Sequence, residues 1–67
     1  MDADELLDAL EHDLTQAGSG THAQRLEVLR RSLGATDALR MFVALYIDEV
    51  SPPIEQRLAE LLRLLEG

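Results

Sequence analysis

One stretch limits what this chain can fold into more than any other: Asp37 to Val50, reading DALRMFVALYIDEV. Leu39, Phe42, Val43, Tyr46, Ile47 and Val50 recur at the spacing of a helix with one wide buried face. Met41 and Leu45 stand one turn apart on the other side, with Ala38 and Ala44 at their edges, so the helix is apolar on nearly two faces. A strand over Met41 to Ile47 suits the residue types, but the helical phasing runs past that window to Leu39 and Val50. A helix that is apolar on two sides calls for cover on both.

The chain is 67 residues long, enough for one domain over residues 1–67, and a chain this short buries only about 60% of the surface its unfolded form exposes. Small chains offset that deficit with disulfides, a metal or a partner. With no cysteine, disulfides and thiolate metal sites are excluded, which leaves oligomerisation or a protein partner.

The remaining segments read as three more helices. Ala3, Leu6, Leu7, Leu10, Leu14 and Ala17 give a stripe over residues 2–17, with Asp2 and Glu5 spaced as a capping box. Gly18-Ser19-Gly20 reads as a turn, with Gly18 as a left-handed cap. A second helix over 22–33, capped by Thr21 with Gln24, carries His22, Leu26, Leu29 and Leu33, while Glu27 is spaced to pair with Arg30 or Arg31. Gly34 ends it, and Thr36 caps the third helix over 37–50. Ser51-Pro52 opens the fourth over 52–66, with Ile54, Leu58, Leu61, Leu62 and Leu65 inside and Leu64 at the stripe's edge. Arg57, Glu60 and Arg63 are spaced to pair along it. The expected fold class is therefore all-α: a small four-helix domain of helical-hairpin type, completed by oligomerisation.

Six arginines, no lysine and thirteen acids give a net charge of −7, which disfavours direct binding to DNA or RNA and to anionic membranes. Helices two and three have the order of a helix-turn-helix, yet the second of them offers Met41, Phe42, Val43, Ala44 and Leu45 with Arg40 as its one base. A recognition helix needs a polar, basic face. There is no apolar run of about 20 residues to span a membrane, and the acidic start differs from a secretory signal, so a cytoplasmic location is expected.

Nothing in the sequence assembles a reaction centre. Ser19 lies in Ala-Gly-Ser-Gly-Thr, neither a nucleophile elbow after a strand nor a carrier-type attachment site. Asp8 and His12 are one turn apart, but a metal needs three or four ligands. His22 has no evident nucleophile to activate. No enzyme activity, cofactor or metal is expected.

The leading expectation is a non-enzymatic protein-interaction module, an adaptor, chaperone or inhibitor, homodimeric through the third helix, with Met41, Leu45, Tyr46 and Leu64 at the protein interface. A second reading uses the acidic surface of Asp4, Asp8 and Glu11 as a nucleic-acid mimic that occupies a basic groove, as phage-type decoys do. A third is a small antitoxin-like regulator, which needs a basic surface from Arg25, Arg30 and Arg31.

Overall fold

A computed structural model describes residues 2–66. Four α-helices follow one another: α1 Ala3–Gln16, α2 Gly20–Leu33, α3 Ala35–Tyr46 and α4 Pro52–Glu66, with a 3₁₀ turn at Ile47–Glu49 between the last two. There is no strand among the described residues, and the fold is all-α.

The α1–α2 turn follows from one glycine. Gly18 has φ +81°, so the Ser19 N–H donates to the Leu14 carbonyl at 2.8 Å and the Gly18 N–H to Thr15 at 3.1 Å. This is the Schellman arrangement, and it satisfies two carbonyls that a helix end leaves open. The connection is so tight that α2 starts ahead of the expected Thr21 cap: the Ser19 carbonyl accepts from Ala23 at 3.1 Å, and Thr21 lies inside the helix.

Between α2 and α3 a single residue makes the turn. The Gly34 N–H donates to Arg30 at 3.0 Å and its carbonyl accepts from Ala38 at 2.9 Å, so it closes one helix and opens the next. Its φ of +86° with ψ 167° lies in a region essentially restricted to glycine. α3 thus begins at Ala35, and Thr36, expected as its cap, falls in the first turn. Nor does the Asp2 side chain cap α1; the Asp2 carbonyl accepts from Leu6 at 3.1 Å instead.

Helix three ends sooner than its apolar pattern. The α geometry stops at Tyr46, the chain tightens to 3₁₀ through Glu49, and Val50 is extended. Pro52 disfavours helical geometry at Ser51, so the helix has to end before it, and a tightened last turn helps satisfy the terminal carbonyls. α4 then opens with Pro52 at its first position, and the Glu55 N–H donates to Ser51 at 2.9 Å.

The core takes Leu6, Leu7, Leu10 and Leu14 from α1, Leu26 from α2, Ala38, Leu39 and Phe42 from α3, and Ile54, Leu58 and Leu61 from α4. Ala38, expected at the margin beside Met41, is fully enclosed. The apolar pattern of Asp37–Val50 is thus buried on one face only. The radius of gyration, 10.4 Å, matches the roughly 11 Å expected of a folded chain this long.

The two glycine settings predict opposite responses to alanine. Neither Gly20 nor Gly34 has an atom where a Cβ would sit, so backbone conformation alone decides. In urea unfolding, Gly34→Ala should lose about 1–3 kcal/mol through the positive φ. Gly20→Ala, at a helical position, should gain about 0.4–1 kcal/mol.

Candidate functional site

The helices leave several large apolar side chains outside. On α3 the row Met41, Ala44 and Leu45 is exposed, Met41 at 43% and Leu45 at 54%. Leu64 on α4 is exposed at 61%, as is Val28 on α2. Single exposed residues of this kind are ordinary, but Met41, Ala44 and Leu45 at i, i+3 and i+4 make one side of one helix. Tyr46 is different: it is half-buried at the rim of the core.

Around Tyr46 the rare rings of this chain gather. Phe42 lies 5.1 Å from it between centroids, and His22 of α2 packs edge-on against Tyr46 at 5.5 Å and Phe42 at 6.3 Å. His22 Nε2 is 3.3 Å from a Glu49 carboxylate oxygen, which ties the 3₁₀ turn to the start of α2. Arg25, one turn along α2 from His22, holds its guanidinium carbon 5.2 Å above the Tyr46 ring. The sequence placed His22 on an apolar face; its carboxylate partner came from 27 residues away and had no local signature.

The acidic face of α1 is organised by Arg30. Its Nη1 donates to Asp8 at 2.8 Å and to the Glu11 carboxylate, and its Nη2 reaches both the side chain and the carbonyl of Asp4 at 3.4 Å. The spacing allowed either arginine to pair with Glu27; Arg31 does so, at 2.6 Å, and Arg30 crosses to α1. Asp8, expected beside His12, faces Arg30 instead. The hydrogen bond to Asp8 first, against partial burial and with help from Glu11 and Asp4, raises the Arg30 pKa above its ordinary value. A raised folded-state value means this contribution is complete at every pH below the ordinary arginine range. It is lost only as pH climbs through the raised value.

Two further arginines bridge helices. Arg57 lies 3.3 Å from Asp13 of α1, although its spacing suited a pair with Glu60, and Arg40 of α3 donates to Glu66 of α4 at 2.6 Å. No group of three or more His, Asp or Glu among the described residues is placed to hold a metal ion. Each buried side-chain nitrogen or oxygen among them has a hydrogen-bond partner. Comparison of the chain with protein-family models, with curated proteins and with solved structures finds no match.

Because Asp4 and Asp8 are largely solvated, the Arg30 cluster should contribute modestly and respond to salt. Replacing the guanidinium in Arg30→Gln should lower unfolding free energy by about 1 kcal/mol in low salt, with a smaller difference in high salt. Glu27→Gln, which removes only the exposed pair with Arg31, should change it by no more than about 0.5 kcal/mol.

Proposed function

We propose that this chain is a non-enzymatic protein-interaction module that presents the outer side of α3, and that it self-associates through that side. The observation that carries this reading is the exposure of Met41 and Leu45 on a helix whose other face, Ala38, Leu39 and Phe42, is fully enclosed. Three apolar positions at i, i+3 and i+4 on a rigid helix are the pattern by which one helix docks on another. A stable interface buries about 800 Å² on each partner, roughly a fifth of this molecule's 4198 Å² surface. Met41 and Leu45 are then the centre of a contact that extends onto neighbouring helices, and Leu64 offers further apolar area on α4.

The charge arrangement weighs against the two other readings. A nucleic-acid mimic needs its carboxylates free to meet a basic groove, whereas Asp4, Asp8 and Glu11 converge on Arg30. An antitoxin-like regulator needs a free basic surface from Arg25, Arg30 and Arg31, whereas Arg30 and Arg31 face carboxylates.

Sedimentation equilibrium of the wild type and of Met41→Ser with Leu45→Ser tests the reading. The wild type should show a mass above the 7.4 kDa monomer that falls with dilution, and the double variant should remain monomeric. A wild type that stays monomeric at millimolar concentration, or a double variant that associates as strongly, would remove the self-association.

A further inference from the structure

A groove of ≈ 350 Å³ runs along α2, lined by Thr21, Gln24, Arg25, Val28 and Leu29 and closed on one side by Tyr46. Neither Met41 nor Leu45 lines it. Thr21, Arg25 and Val28 follow one another along α2 at i, i+4 and i+7, a length of about 10 Å, or two turns of a docked helix. Its floor is apolar, from Val28, Leu29 and the Tyr46 ring, and its rim is polar.

The charge at that rim points to the occupant. The ion pairs of the arginines use Arg30, Arg31, Arg40 and Arg57; among the described residues Arg25 and Arg63 enter none, and of these two only Arg25 lines the groove. Arg25 is thus a cation without a carboxylate partner, set beside the exposed Val28 in a chain of net charge −7. Its guanidinium carbon lies 5.2 Å over the Tyr46 ring. Contact with a ring does not use a guanidinium's N–H donors, and those donors match a carboxylate in two parallel hydrogen bonds. Val28, exposed at 61% one turn away, supplies the adjoining apolar contact.

We infer that this groove binds an acidic amphipathic helical segment of a protein partner, with a carboxylate on Arg25 and an aliphatic side chain one turn away against Val28 and Tyr46. The inference rests on reading the chain as a protein-binding module, but it uses a surface apart from the outer side of α3.

The probe is a fluorescein-labelled helical peptide with leucine and glutamate alternating at i, i+3 and i+4 on one side. Its control has glutamine in place of each glutamate. Anisotropy titration against the full chain should give about tenfold tighter binding of the acidic peptide, the effect of one charge-assisted contact. Arg25→Gln should abolish that preference, and Val28→Asp should weaken both peptides. Met41→Ser with Leu45→Ser should leave both affinities unchanged. Arg25 and Val28 are exposed, so circular dichroism of their variants should match the wild type. Absence of binding, equal affinity for the two peptides, or a preference that survives Arg25→Gln would overturn the proposal. Binding lost only in the Met41 and Leu45 variant would move the peptide to α3 and leave the module reading intact. Self-association lost in Arg25→Gln would put a second copy in the groove and likewise overturn the partner assigned here.

Discussion

Burial of one face of α3 is the constraint on which the rest of the structure depends. Ala38, Leu39 and Phe42 are fully enclosed; α1 and α4 each bring several buried apolar side chains to the same core, and α2 brings Leu26 with Ala23 and Leu29 partly buried beside it. Phe42 is the largest of the fully buried side chains, so it fills more of the core than any other residue. Three helices are enough to close one face. The second apolar side of α3 lies outside because α1, α2 and α4 all pack on the first.

Ion pairs link the helices around that core. Arg30 draws α2 onto α1, Arg57 ties α4 to α1 through Asp13, and Arg40 ties α3 to α4 through Glu66. Each pair is partly solvated and individually weak, so their effect is on orientation more than on stability. They also redistribute the excess of acids. The α1 face that is most negative in sequence becomes the receptor of an arginine, while Arg25 is left beside the Tyr46 ring.

The fold was legible where periodicity carried it. The stripes of α1 and α4, the left-handed Gly18 and the Pro52 start all follow from local rules, and the four helices lie close to their expected spans. The caps were less legible: Thr21 and Thr36 satisfy the sequence pattern, but the tight turns at Gly18 and Gly34 start each helix ahead of them. The exposure of Met41 and Leu45 was readable from the helical phasing of α3. The His22–Glu49, Arg30–Asp8 and Arg57–Asp13 contacts were not, because such pairs depend on how helices dock and leave no spacing signature along the chain. For the same reason the groove between α2 and Tyr46 had no counterpart in the sequence pattern.

One chain closes its own core with one face of α3 and leaves Met41 and Leu45 on the other exposed. Urea unfolding of the chain carrying both Met41→Ser and Leu45→Ser, followed at two protein concentrations, tests it most directly. The expected result is a single cooperative transition with the same midpoint at both concentrations, and a free energy within about 0.5 kcal/mol per substitution of the dilute wild type. A variant that is unfolded without urea, or that folds only as concentration rises, would contradict it, because the core would then require a second chain.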